Sequence, residues 1–132
     1  MKAPKATQRR SIFVVDDNVQ LLRVLRHKLE MDGFEVFTSE TGDEAAEFLK
    51  SGATPDILLS DCVMPGEIQG WELAKVAKAT RSSMTVILMS GYVENGDLKA
   101  TDTSDFDYFL TKPLKITELS TQLGALLSRP VG

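Results

Sequence analysis

Three carboxylates, a hydroxyl and an ammonium stand where the apolar runs of this sequence stop. Asp16 and Asp17 follow the run at residues 12–15, and Asp61 follows the run at 57–59. Ser90 ends the run at 85–89, and Lys112-Pro113 follows the run at 108–110. Carboxylates gathered in one place repel one another unless a cation sits among them. Mg2+ suits such a set, because it takes hard oxygen ligands in octahedral geometry and keeps several waters. Asp17 and Asp61 are the expected direct ligands, with Asp16 holding a coordinated water and a backbone carbonyl just after Asp61 completing the set. One carboxylate can then attack phosphorus as a nucleophile. What remains is positioning and charge neutralisation. Lys112 and the metal ion would neutralise the phosphoryl oxygens, and Ser90 would donate a hydrogen bond to one of them.

Each piece alone has an ordinary explanation. An acidic pair before a helix is commonly a cap that interacts with the helix dipole. A Lys-Pro pair can simply end a strand, and Asp61 ahead of Met64-Pro65-Gly66 can be a turn. The joint occurrence at four run ends, in this order, is what makes the set specific.

The elements that must position these groups alternate in kind. Residues 12–15, 34–38, 57–59, 85–89 and 108–110 read as short buried strands rich in β-branched and aromatic residues. Between them lie helical patterns. Leu21, Leu25 and Leu29, widened by Leu22 and Val24, form an apolar stripe that stops at Gly33. Residues 43–50 and 71–79 predict two further helices, and Ile116, Leu119, Leu123 and Leu127 mark a closing one. The stretch at 95–104 is polar and a poor helix. Five strands alternating with helices predict an α/β domain: a five-stranded parallel sheet with helices on both faces. In such sheets the site lies beyond the carboxyl ends of the strands.

Composition narrows the classes. The chain has 132 residues, 42% of them apolar and 26% charged, with a formal net charge of −4. One globular domain is the default at this length. We expect it at 11–129, between a basic tail at 1–10 and a short tail at 130–132. The acidic balance argues against direct nucleic-acid binding. One cysteine excludes an internal disulfide, and no apolar run approaches the roughly 18 residues that span a bilayer, so no membrane insertion is expected.

The residues Val15-Asp16-Asp17, Asp61 with Met64-Pro65-Gly66, Ser90 and Lys112-Pro113 together resemble the receiver domains of two-component signalling, over almost the whole chain. That resemblance implies a flavodoxin-like, doubly wound (βα)5 fold like that of the chemotaxis regulators. It implies Asp61 as phosphoacceptor, Asp16 and Asp17 as metal-site acids, and the main-chain carbonyl of Val63 as a ligand. It implies Ser90 as the switch hydroxyl, Lys112 as the phosphoryl contact, Phe109 as the switch aromatic, and a cis bond before Pro113. The implied cofactor is Mg2+, or Mn2+ in its place. The implied donor is a histidine kinase or histidine phosphotransfer protein, and the output is altered binding to a downstream protein. A bacterial, cytoplasmic, monomeric or weakly dimeric switch that assists its own phosphorylation and dephosphorylation is expected, rather than an enzyme. The loop Glu67-Ile68-Gln69-Gly70 is one residue longer than in common receivers. With Met89 to Tyr92 it resembles receivers of hybrid sensor kinases, whereas the initial methionine and the tails favour a stand-alone regulator.

Two rival readings remain. A magnesium-dependent aspartyl phosphatase would ordinarily carry Asp-x-Asp after its first strand, and this chain has adjacent Asp16-Asp17. A receiver-like interaction module without phosphate would not need Asp61, Ser90 and Lys112 together. Other reactive side chains read plainly: Cys62 as a small buried thiol turned away from the site, His27 as a solvated surface residue, and Trp71 equally as loop anchor or partner contact. Tyr108, on the opposite face from Phe109, is not the expected switch residue.

Overall fold

Each apolar run forms a strand. The computed structural model describes residues 10–64, 66–90 and 106–112, and beyond them 115, 117, 119, 121 and 123. The strands β1 (Ser11–Val15), β2 (Glu35–Ser39), β3 (Ile57–Asp61), β4 (Thr85–Ser90) and β5 (Tyr108–Thr111) make one parallel sheet in the order β2-β1-β3-β4-β5. Helices α1 (Val19–Met31), α2 (Gly42–Lys50) and α3 (Gly70–Thr80) connect the first four strands. Thr117, Leu119, Thr121 and Leu123 are helical after β5. The alternation of elements predicted such a parallel sheet, and its strand order is the flavodoxin-like one that the resemblance implied.

Strand alternation sorts the core into two layers. Phe13, Val15, Leu58, Val86 and Leu88 face α2 and α3, where they meet Ala45, Leu49, Leu73 and Ala77. Ile12, Val14, Ile57, Leu59, Ile87 and Met89 face the other way, against Leu22, Leu25 and Leu29 of α1 and against Leu119 and Leu123. A central sheet buried on both sides explains why its strands read as unbroken apolar runs.

Two expectations need correction. Val24 does not widen the buried stripe of α1; it is 52% exposed, because it sits about 100° round the helix from Leu25. Phe34 is not in β2. Gly33 takes φ +100°, and the Phe34 N–H returns to the Leu29 carbonyl at 3.0 Å, so Phe34 belongs to the turn that closes α1. The ordinary explanation of the acidic pair, a cap on α1, does not hold. Asn18 caps that helix, its side chain accepting the Leu21 N–H at 3.1 Å. Small boundary shifts place Ser60 and Asp61 within β3, Ser90 within β4 and Thr111 within β5. The readings at 1–9, Pro65, Gly91, Tyr92, 95–104, Pro113, Ile116 and Leu127 fall outside the described residues.

Two ion pairs fix the sheet away from the site. At its amino end Asp56 accepts from the Ser11 N–H at 2.9 Å and from Arg81 at 3.2 Å. Lys78 of α3 reaches Asp107 at 2.8 Å, and Asp107 also accepts the Val86 N–H at 2.8 Å, which ties the start of β5 to β4. Leu58, fully buried between β1 and β4, should cost about 3 kcal/mol when cut to alanine. Val24→Ala should stay within about 0.5 kcal/mol, both read by urea unfolding.

Candidate functional site

The order of the sheet reverses between β1 and β3. The chain leaves β1 for β2 on one side and then returns to β3 on the other. Crevices form at such a reversal, beyond the carboxyl ends of the strands. There Val15 pairs with Ser60, so Asp16 and Asp61 come next to each other on adjacent strands. One further backbone bond prolongs three of the four ladders into the site. The Asp16 N–H reaches Ser39 at 3.1 Å, Cys62 reaches Met89 at 2.8 Å, and Lys112 reaches Ser90 at 2.9 Å.

Asp16 is fully buried, and both its oxygens are occupied. Oδ1 accepts the Asn18 N–H and Oδ2 accepts from Lys112 Nζ, each at 2.8 Å. The same ammonium lies 3.3 Å from Asp61 Oδ2. Asp61 is 8% exposed, and Asp17 is open to solvent. Carboxylate oxygens of Asp16, Asp17 and Asp61 all lie within 4.8 Å of one another. Among the described residues, three carboxylates against one ammonium leave an excess of negative charge, and the donors are all hard oxygens. The residues present therefore fit a small divalent cation such as Mg2+.

The titration of the site reflects burial first and its charges second. Burial raises the Asp61 pKa above 3.8; the Lys112 charge pulls it down, while Asp16 and Asp17 add to the rise. Burial works against the Lys112 ammonium, but the hydrogen bond to Asp16 and the charge of Asp61 outweigh it, and its pKa lies above 10.5.

Ser90 is buried at the end of β4. Phe109 is half-buried on the α2–α3 side of the sheet, its ring 6.1 Å from that of Phe106, while Tyr108 is 36% exposed. Cys62 is buried in the same layer as Phe109 and carries no disulfide, and His27 is exposed, both as expected. Trp71 packs partly buried against the core beside the loop, which favours its role as an anchor.

The loop after β3 holds what the sequence reading missed. Gln69 folds its side chain back onto Met64 and Gly66, and Asp43 accepts the Ile68 N–H at 3.0 Å. A Cβ at Gly70 would collide with the Asp61 carbonyl, and one at Gly42 with the Ile68 carbonyl. Glu72 three residues after Gln69 is a capping-box spacing, and it was the one signal in the sequence that Gln69 starts a helix.

Over residues 12–124 the sequence matches the family described as the response regulator receiver domain. The chain belongs to that family. As a receiver domain it is a phosphoacceptor module of two-component signalling. It is 38% identical over 112 residues to the DNA-binding transcriptional regulator NtrC of Escherichia coli, a match that covers 84% of this chain and 23% of that protein. It is 28% identical over 122 residues to the alkaline phosphatase synthesis transcriptional regulatory protein PhoP of Bacillus subtilis, covering 91% and 49%. The receiver thus spans half or less of the length of these curated relatives. A receiver protein from Sinorhizobium medicae has the same fold, with a TM-score of 0.78, 26% identity, and 92% and 96% of the two chains covered. Among the described residues of the receiver, no helix is long and apolar enough to cross a membrane.

The raised Asp61 pKa has a measurable consequence. Below pH 3.8 the group is protonated in both the folded and unfolded states and contributes nothing. As pH rises, the unfolded chain ionises first, so the folded state loses stability until Asp61 itself ionises. Without divalent ions, Asp61→Asn should therefore raise the melting temperature at pH 7, with the gain vanishing below pH 3.8. Added Mg2+ should close the gap from the wild-type side.

Proposed function

We propose that Asp61 takes a phosphoryl group from the phosphohistidine of a histidine kinase or histidine phosphotransfer protein. An Asp61 carboxylate oxygen forms the new P–O bond as the P–N bond to the donor breaks, and the donor imidazole keeps the electron pair. The observation that carries this reading is Lys112 Nζ, 2.8 Å from Asp16 and 3.3 Å from Asp61 within a cluster of three acids. Its ammonium is placed to stay beside the group that Asp61 receives.

Asp17, Asp61 and the Val63 carbonyl would hold Mg2+, or Mn2+ in its place, with Asp16 acting through a water. The three acids offer oxygens within 4.8 Å of one another. With both Asp16 oxygens already accepting hydrogen bonds, Asp16 is the acid suited to the outer role. Bound there, the cation supplies charge neutralisation for the phosphoryl oxygens.

Ser90 would donate to a phosphoryl oxygen, and the movement would admit Phe109 further into the fold. This is a population shift driven by contacts that exist only with the group bound. A changed surface around β4, β5 and the closing helix would then be read by a downstream protein.

Incubated with acetyl phosphate and Mg2+, the wild type should gain the mass of one phosphoryl group, and Asp61→Ala none. Lys112→Ala should be labelled on the order of a hundredfold more slowly. Undiminished labelling of Asp61→Ala would sink the assignment.

A further inference from the structure

The peptide group that carries the proposed main-chain ligand is itself held from behind. In a trans peptide the N–H and C=O of one unit point in opposite directions. The Val63 carbonyl shares its unit with the Met64 N–H, and that N–H donates to Gln69 Oε1 at 2.8 Å. The other end of the same amide donates from Nε2 to the Met64 carbonyl at 2.9 Å and to the Gly66 carbonyl at 3.2 Å. A single side chain therefore fixes two successive peptide units. One step back, the Cys62 carbonyl accepts the Gly70 N–H at 2.9 Å, so the unit before Val63 is fixed as well.

Gln69 is in turn a rigid support. Its own N–H donates to Glu72 at 2.9 Å, and its carbonyl accepts the Leu73 N–H at 2.9 Å, which locks it to the first turn of α3. Gly70 lets that turn press against the Asp61 and Cys62 backbone.

We propose that Gln69 is a positioning residue for metal binding: by holding the Met64 N–H it aims the Val63 carbonyl into the acidic cleft. This rests on the reading of the cleft as a Mg2+ site. The bond does more than orient. A hydrogen bond on the N–H of a peptide polarises the C=O of the same unit and makes that oxygen a better ligand. Glutamine suits the place because one amide offers both an acceptor and a donor.

The test is the Mg2+ dissociation constant, measured with MgCl2 alone at fixed ionic strength. Calorimetry and the fluorescence of Trp71, the single tryptophan, both read it. Gln69→Ala and the volume-keeping Gln69→Met should each weaken binding on the order of tenfold. Arg81→Ala, which breaks the ion pair with Asp56 at the far end of α3, should leave it unchanged. If Gln69→Ala does not fold, Gln69→Met decides. Unchanged affinity in the folded Gln69 variants overturns the inference and leaves the site standing. Equal weakening in Arg81→Ala also overturns it, since loosening of α3 would then be the cause. A wild type that binds no Mg2+ overturns the site itself, and the inference with it.

Discussion

A fully buried carboxylate is tolerable in Asp16 only because the Lys112 ammonium and the Asn18 N–H each lie 2.8 Å from one of its oxygens. Leaving such a charge unpaired would cost several kcal/mol. That requirement ties together the ends of β1 and β5, which lie three strand steps apart in the sheet, roughly 14 Å at the usual spacing. Lysine has the reach for this, and its path over the strand ends brings it past Asp61 on β3. The same contact therefore satisfies a buried acid and sets a positive charge beside a proposed nucleophile.

The pairing leaves the cleft short of positive charge. Among the described residues one ammonium faces three carboxylates; burial raises the Asp61 pKa, Lys112 pulls it down, and Asp16 and Asp17 add to the rise. A site in this condition is poised to gain from a divalent cation and from phosphoryl chemistry that the cation supports. Like charges in the cleft repel one another, so its geometry has to be maintained by the rest of the fold.

Maintenance comes from the two layers of core and from the loop after β3. The β-ladders hold Asp16, Cys62 and Lys112 by one extra bond each. Asp43 and Gln69 hold the loop from opposite sides, and Gly42 and Gly70 allow α2 and α3 to approach it closely. Lys78 and Asp107 brace the start of β5, whose other end carries Lys112. Ser90 and Phe109 lie on β4 and β5, the two strands beyond β3 and Asp61 in the sheet.

The sequence by itself determined the alternation of strands and helices and the residues at the strand ends. Unbroken apolar runs, period-3.6 stripes and the residues that stop them are local properties, and Asp16, Asp17, Asp61, Ser90 and Lys112 could be named from them. Tertiary structure alone decided who touches whom. Lys112 pairs with Asp16 as well as Asp61, an outcome that depends on where distant strand ends come together. Gln69 is the sharpest case. Its capping-box spacing with Glu72 is visible in the chain, but its grip on Met64 exists only once the loop folds back on itself. A hydrogen bond across a loop is set by the path of the backbone in space, and periodicity carries no record of that path.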